Sequence, residues 1–272
     1  MAFEHPGDGA LDYFPCHYGG SKLLFRGPRK PLDGRFAVFF GGIETYGKFI
    51  ERPFPDLLGD ALECTTVNMG CVNAGIDAYV QDHALLGVAE QARAAVIQVL
   101  GAANLSNRFY SVHPRRNDRF IKPSALMQTI YRDVDFSEIT FTRHLLQALE
   151  AECPRRFDLL ADELKAAWVA RMKTWLGRIR CHRVLLWLAD HAPEETGGDS
   201  DPRFIDRQMI EQLRPHVDDI VEVVYRTPSQ GWPSDGMAYS ELEAPAAHHT
   251  PGAGVHAEAA AALAPVLKNM VR

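Results

Sequence analysis

Three short apolar runs, each followed by a glycine-containing loop, constrain the fold of this chain more than any other feature. They cover residues 36–40, 65–68 and 94–100, and the stretches between them have apolar residues at helical spacing. Buried parallel strands have this continuous apolar character because helices cover both faces of their sheet. Strand, helix, strand, helix, strand at this spacing predicts βαβ units with right-handed crossovers.

The second half of the chain is predicted to extend the same sheet. Residues 183–189 and 220–225 have the character of a fourth and a fifth strand, and residues 257–270 that of a final helix. Asp77 stands where a helix cap is expected, before a predicted helix over residues 78–93. We therefore expect an α/β fold, namely a three-layer α/β/α sandwich with a five-stranded parallel sheet in flavodoxin-like order.

The domain organisation is predicted from periodicity. Residues 1–34 are rich in Gly and Pro and lack clear periodicity, which predicts an N-terminal arm that wraps the domain. Residues 35–272 are predicted to form a single domain with a helical insertion at about residues 105–180. The insertion is expected to open with a polar loop and to continue as helices, the first near residues 136–150.

Composition excludes several classes of protein. The formal net charge of −6 argues against whole-surface binding to nucleic acid or to an anionic membrane. Five cysteines without a CxxC pair favour neither a disulfide framework nor a zinc site. The chain begins without the segments of a signal peptide, and its apolar runs are too short for a membrane span. We therefore expect a cytoplasmic protein, and we predict no metal and no cofactor.

The candidate site lies in the loops after the first three strands. Open parallel sheets bind ligands beyond the carboxyl ends of their strands, and residues 41–47, 69–75 and 101–107 occupy those positions. The candidates in these loops are Gly41, Gly42, Glu44, Thr45, Asn73, Gly101, Asn104 and Asn107. Tight turns and local backbone hydrogen bonds are the alternative explanation for the glycines, Thr45 and the asparagines.

A family resemblance follows from the first of these loops. The segment FFGGIETYGKF resembles the first motif of the SGNH/GDSL hydrolase superfamily, a strand followed by Gly-Asp-Ser-x-Thr-x-Gly. Gly41, Thr45 and Gly47 match this motif, whereas Gly42 replaces the aspartate and Ile43 replaces the nucleophilic serine. The resemblance implies an SGNH-like fold and hydrolase-type chemistry in which another group must act.

Three further segments resemble later motifs of the same superfamily. VNMGCVNAG resembles the second motif, which implies that the Gly70 amide contributes to an oxyanion hole. VIQVLGAANLSNR resembles the third motif, where Gly101 matches and Asn104 stands in for the oxyanion-hole asparagine, displaced by one position. HHTPGAGVHAEAAAALAPVL resembles the last motif, which implies a catalytic His249 or His248, although the aspartate expected three residues earlier is replaced.

Other side chains are candidates for the missing catalytic groups. Cys71 in the second loop is a candidate nucleophile, and Ser106 is another; a buried, inert thiol is the alternative for Cys71. Asp190 and His191 follow the fourth strand and are candidates for a general base. Because they are neighbours on a loop, we expect their side chains to point apart.

Arginines dominate the polar loop over residues 106–120. This loop contains Arg108, His113, Arg115, Arg116 and Arg119 against a single Asp118. Guanidinium forks bind carboxylate, sulfate or phosphate groups through paired hydrogen bonds. The loop therefore predicts anion binding, and the alternative is a solvated loop or one paired with acids of the same chain.

Two functions follow. The first is an SGNH-like enzyme of acyl or ester hydrolysis, or of group transfer, that lacks the usual serine. The alternative is a non-catalytic or transferase-type protein that binds an anionic ligand through the arginine-rich loop. In both cases the expected partner is a small-molecule or glycan-linked anionic substrate, and the sequence does not indicate an oligomeric state.

Overall fold

The computed structural model describes residues 9–195, 200–227 and 232–272. Within these ranges the strands are β1 (Phe36–Gly41), β2 (Thr65–Gly70), β3 (Ala94–Gln98), β4 (Tyr110–His113), β5 (Arg116–Pro123), β6 (His182–Ala189) and β7 (Asp219–Val224). Five of them form one parallel sheet in the order β2-β1-β3-β6-β7, and β4 and β5 form a separate antiparallel pair. The predicted five-stranded parallel sheet and its flavodoxin-like order are confirmed.

Helices cover both faces of this sheet. They are α1 (Ile43–Tyr46), α2 (Phe54–Leu62), α3 (Asp77–Val80), α4 (His83–Gln91), α5 (Ala125–Ile130), α6 (Thr142–Glu152), α7 (Pro154–Arg178), α8 (Arg207–Glu211), α9 (Ala244–Ala247) and α10 (Ala253–Met270). The predicted α/β/α sandwich is therefore present. Within the described part of the chain, no helix has both the length and the apolar character needed to cross a bilayer.

Strand β1 lies inside the sheet and is buried along its whole length. Successive side chains of a strand point to opposite faces, so β1 contributes to two cores. Phe39 packs edge-on against Phe54 of α2 on one face, while Phe40 packs against Tyr79 and Trp175 on the other. This burial on both faces explains why the sequence of β1 is uniformly apolar.

The insertion after β3 opens with a β-hairpin, β4 to β5, and the prediction of a polar loop there is wrong. Asn117 fixes the hairpin to the loop after β2. Its side chain is fully buried, and its Oδ1 accepts hydrogen bonds from the backbone N–H groups of Gly75 at 2.8 Å and Ala78 at 3.0 Å. Its Nδ2 donates to the carbonyl oxygen of His113 at 3.0 Å. One amide side chain therefore links the hairpin to the loop after β2.

The predicted helix over residues 78–93 is divided into α3 and α4, and Asp77 does not cap it. Asp82 caps α4 instead, because its carboxylate accepts hydrogen bonds from the N–H groups of Ala84 and Leu85. Asp77 is buried and forms an ion pair with Arg171 of α7. The helix predicted near residues 136–150 begins later, at Thr142 of α6.

The described part of the N-terminal arm, residues 9–34, packs along the domain. Tyr18, Leu23 and Phe25 are buried in the main hydrophobic core. The guanidinium of Arg26 donates to the carbonyl oxygens of Gly47 at 2.6 Å and Glu51 at 2.9 Å. Residues 1–8 of the predicted arm lie outside the described residues.

Candidate functional site

A cavity of about 160 Å³, which we call the inner cavity, opens beyond the carboxyl ends of β1 and β3. This is the point where the strand order reverses, and open α/β sheets bind their ligands there. The polar side chains that line the inner cavity are Glu44, Asn73, Gln98, Asn104, Asp118 and Asp201. Three carboxylates from separate segments of the chain therefore meet around one opening.

Gln98, the last residue of β3, organises the wall of the inner cavity. Its Oε1 accepts hydrogen bonds from the Thr45 hydroxyl at 2.6 Å and from the Gly42 N–H at 3.0 Å. These two donors leave Nε2 facing Glu44, and Nε2 donates to Glu44 Oε2 at 2.8 Å. The Gln98 side chain is buried, and both its oxygen and its nitrogen form hydrogen bonds. It therefore holds the Glu44 carboxylate in one orientation.

Glu44 is half-buried on the short helix α1, directly after β1. Burial raises the pKa of its carboxyl above the usual value, and the negative charge of Asp201 raises it further, whereas the hydrogen bond from Gln98 lowers it. The same charges act on Tyr225 after β7, whose pKa is raised by burial and then by Glu44, Asp190 and Asp201. Perturbed carboxyl groups in a cleft are typical of acid–base sites.

Asp118 approaches the inner cavity from the β-hairpin. Burial raises the pKa of its carboxyl, and the positive charges of Arg116 and Arg119 oppose this shift. Its Oδ2 lies 3.8 Å from the Arg116 guanidinium, while its Oδ1 is buried and has no hydrogen-bond partner among the described residues. A buried carboxylate oxygen without a donor is costly, so Asp118 has capacity for one more hydrogen bond.

Close backbone contacts explain two of the glycines in the site loops. A Cβ at Gly101 would lie 2.6 Å from Asp201 Oδ1 and 2.8 Å from the backbone nitrogen of Arg203. A Cβ at Gly70 would overlap the backbone nitrogen of Tyr46. Helix α1 therefore packs on the end of β2, and the loop after β6 on the loop after β3, because these two residues lack a side chain.

The structure brings five of the predicted loop residues to the inner cavity: Gly42, Glu44, Asn73, Gly101 and Asn104. Asn104 Oδ1 accepts a hydrogen bond from the Thr142 hydroxyl at 2.5 Å, which leaves Nδ2 as a donor for a ligand. Gly42 is less available, because its N–H already donates to Gln98.

Other predicted loop residues do not line the inner cavity. Gly41 and Thr45 contact Gln98 from behind the cavity wall. The Gly70 N–H donates to Asn68 Oδ1 at 2.9 Å, so this amide is already occupied. Asn107 accepts hydrogen bonds from the N–H groups of Phe109 and Tyr110, which is the local turn role given as its alternative.

The two candidate nucleophiles lie away from the inner cavity. Cys71 is 8% exposed, and burial raises the pKa of its thiol to about 11. The Ser106 hydroxyl accepts a hydrogen bond from the Val112 N–H at 3.1 Å. Among the described residues, none of the side chains lining the inner cavity is a serine, threonine, cysteine, histidine or lysine. Its reactive groups are carboxyls.

The candidate histidines are also outside the inner cavity. His248 and His249 are exposed after α9. His191 and Asp190 do pair, contrary to expectation: His191 Nδ1 lies 2.9 Å from Asp190 Oδ1. The His191 carbonyl oxygen accepts a hydrogen bond from the Trp187 indole, which folds the loop back after β6.

The arginines of the hairpin do not converge on one point. Arg108 pairs with Glu163 of α7, and its Nε donates to that carboxylate at 2.7 Å. Arg119 lies over the ring of Phe141, with 5.9 Å to the ring centroid. Arg115 and Arg116 are exposed at the hairpin turn, where their backbone N–H groups donate to His113 Nδ1.

Sequence reasoning missed Gln98, Asp118 and Asp201 as site residues. Gln98 was detectable, because it is the one polar residue in the apolar run AAVIQVL, and a buried amide needs hydrogen-bond partners. Asp118 and Asp201 carry no local signal, since only the packing of the β-hairpin and of the loop after β6 brings them to β1 and β3. Within the described ranges, no group of three or more His, Cys, Asp and Glu side chains is arranged to hold a metal ion.

Comparison with known proteins gives a family and no function. No curated protein matches the sequence significantly. The family model described as a domain of unknown function, DUF6473, matches residues 1–271, which is nearly the whole chain. The chain with this carboxylate-lined cavity therefore belongs to the DUF6473 family.

Proposed function

We propose that this protein is an SGNH-like hydrolase or group-transfer enzyme in which Glu44 is the general base. The observation that carries the proposal is the Glu44 carboxyl itself. It lines the inner cavity, it has a raised pKa, and the buried Gln98 side chain orients it. A base with these properties is suited to removing a proton from a bound hydroxyl or water.

The proposed reaction proceeds without a covalent acyl intermediate. Glu44 takes a proton from a water molecule, or from an acceptor hydroxyl in group transfer, as that oxygen attacks the acyl carbon. In this proposal Asn104, which lines the inner cavity and whose Oδ1 is occupied by the Thr142 hydroxyl, donates from Nδ2 to the oxygen on which negative charge develops. When the ester bond breaks, protonated Glu44 returns its proton to the leaving alcohol oxygen. Ile43 at the usual serine position is compatible with this route, because no side-chain nucleophile is required.

The alternative, anion binding by the arginine-rich hairpin, has weaker support. Arg108 is paired with Glu163, and Arg119 lies on Phe141. The exposed Arg115 and Arg116 stand at the turn of the hairpin and do not line the inner cavity. An anion would therefore contact individual guanidinium groups rather than several that converge on one point.

The test compares Glu44→Gln with wild type on acetylated monosaccharides and on 4-nitrophenyl acetate. Turnover of the best substrate is expected to fall by about 10²–10⁴-fold, as for general bases elsewhere. The wild-type rate is expected to rise with pH through a pKa above that of an ordinary Glu, because only the ionised carboxylate accepts the proton. Glu258→Gln, an exposed position on α10, is the control. Equal rates in wild type and Glu44→Gln would refute the proposal.

A further inference from the structure

A second cavity, of about 440 Å³, adjoins the inner cavity, and we call it the outer cavity. Asn104, Asp118 and Asp201 line both, so these three residues form a shared wall. Because one set of side chains faces both spaces, a single molecule is able to contact the shared wall while occupying the two cavities.

The basic side chains of the outer cavity do not line the inner cavity. They are Arg143 and His144 in the first turn of α6, and Arg203 in the loop after β6. Arg143 is exposed, and within the described ranges no carboxylate lies within 4.0 Å of its guanidinium nitrogens. The Arg203 side chain is nearly buried, pairs with Glu150 at 3.3 Å and lies over the Phe204 ring. The guanidinium groups of Arg143 and Arg203 therefore lie on the side of the outer cavity that is away from Glu44.

Among the described residues, the carboxylates that line the outer cavity, Asp118 and Asp201, both belong to the shared wall. There the buried Asp118 Oδ1 has no donor among the described residues. A hydroxyl or ammonium group of a ligand would supply that missing hydrogen bond. The side chains along the two cavities thus run from the Glu44 carboxylate, through the acceptors Asp118 and Asp201, to the donors Arg143 and His144.

We propose that the outer cavity binds an anionic group (phosphate, sulfate or carboxylate) of the same substrate whose hydroxyl-bearing part occupies the inner cavity. Arg143 and His144 contact the anion, and Asp118 accepts a hydrogen bond from a substrate hydroxyl. This inference rests on the proposed function, since it names the substrate class for the same site. It places the anion on α6 and not on the arginines of the hairpin.

The test measures binding of D-ribose and ribose 5-phosphate by isothermal titration calorimetry. In wild type the phosphorylated sugar is expected to bind at least about tenfold more tightly, the effect of one added charge-assisted hydrogen bond. Arg143→Glu is expected to remove this difference. Arg155→Glu, an exposed position on α7 that lines neither cavity, is the matched control and is expected to keep it.

Several outcomes would overturn the inference. Equal binding of the two sugars by wild type, or binding of neither, contradicts it. So does loss of the difference in Arg115→Glu with retention in Arg143→Glu, which would place the anion on the hairpin. Glu44→Gln separates the two proposals: it is expected to keep the preference for the phosphorylated sugar while losing turnover. Retained turnover in Glu44→Gln with an Arg143-dependent preference would refute the proposed base and leave the anion subsite standing.

Discussion

Gln98 donates a hydrogen bond from Nε2 to Glu44 Oε2 at 2.8 Å, although the two residues are 54 positions apart in the chain. The same amide accepts hydrogen bonds from Thr45 and Gly42. A buried side chain at the end of β3 thereby sets the direction of the carboxyl that follows β1. The orientation of the proposed base depends on a neighbouring strand rather than on its own loop.

Gln98→Met is expected to lower both stability and activity. Methionine has a similar size but cannot replace the three hydrogen bonds, and it leaves the Gly42 N–H and the Thr45 hydroxyl unsatisfied. The free energy of unfolding should fall by about 2–6 kcal/mol, since each of the two buried unsatisfied groups costs about 1–3 kcal/mol. Urea denaturation measures this change. Gln91→Met, an exposed position on α4, should stay within about 0.5 kcal/mol of wild type.

Gly70→Ala and Gly87→Ala are expected to have opposite effects. A methyl group at Gly70 would overlap the Tyr46 backbone, whereas one at Gly87 meets no atom within 4 Å. Overpacking should destabilise Gly70→Ala by about 1–3 kcal/mol or more. Replacing glycine inside α4 should stabilise Gly87→Ala by about 0.5–1 kcal/mol. Thermal unfolding of both variants distinguishes the two signs, and a stable Gly70→Ala would contradict the observed packing.

His256 is expected to make stability depend on pH. Burial lowers the pKa of this histidine to about 4, and its Nδ1 accepts a hydrogen bond from the Phe54 N–H at 3.2 Å. Between pH 4 and the ordinary histidine pKa of about 6.5 the unfolded chain binds the extra proton. The contribution of the neutral His256 to the free energy of unfolding is therefore fully present above pH 6.5. It is lost as the pH falls towards 4, and the total loss is about 3 kcal/mol.

Urea denaturation of wild type and His256→Gln at pH 4.5, 5.5 and 7.5 measures this contribution. The wild type should lose more stability than the variant on acidification, because glutamine keeps an acceptor for Phe54 but does not titrate. The exposed His249 provides the comparison, and His249→Gln should follow the wild-type curve. Parallel curves for wild type and His256→Gln would mean that the buried ring makes no contribution.

Cys71 is expected to be chemically inert in the native protein. Its thiol is buried, and its pKa of about 11 leaves little thiolate at pH 8. Iodoacetamide at pH 8 should leave Cys71 unmodified in the folded protein and modify it in urea, as read by peptide mass spectrometry. Cys71→Ala should retain turnover on the substrate used for Glu44→Gln. Loss of turnover in a folded Cys71→Ala would restore the cysteine as a candidate nucleophile.

The sheet was predictable because its signal is local. Strands β1 and β3 are buried on both faces, and their sequences are therefore almost continuous apolar runs, FAVFF and AAVIQVL. The hairpin was not predictable in this way. The buried Tyr110 and Val112 alternate with half-buried polar residues, and the buried Phe120 follows the exposed Arg119. An isolated alternation as short as this resembles a polar loop.

The candidate site was predictable only in part. The strand-end rule located the loops that contain Glu44, Asn73, Gly101 and Asn104, because the topology alone brings them together. Asp201 reaches the same cavity from 100 residues beyond Gly101, through packing that no local pattern records. Side-chain direction also escaped prediction, since Thr45 faces Gln98 rather than the cavity.

The Asn117 amide divides the hairpin into a fixed part and an unconstrained tip. The Asn117 side chain is hydrogen-bonded to the loop after β2. Asp118 is the next residue, so the same hydrogen bonds fix the position of its backbone and hence of its carboxylate. The tip of the hairpin at residues 114 and 115 is exposed and bears none of this constraint. Insertions or changes of charge at the tip are therefore expected to be tolerated in this chain, because the geometry around Asp118 depends on one asparagine.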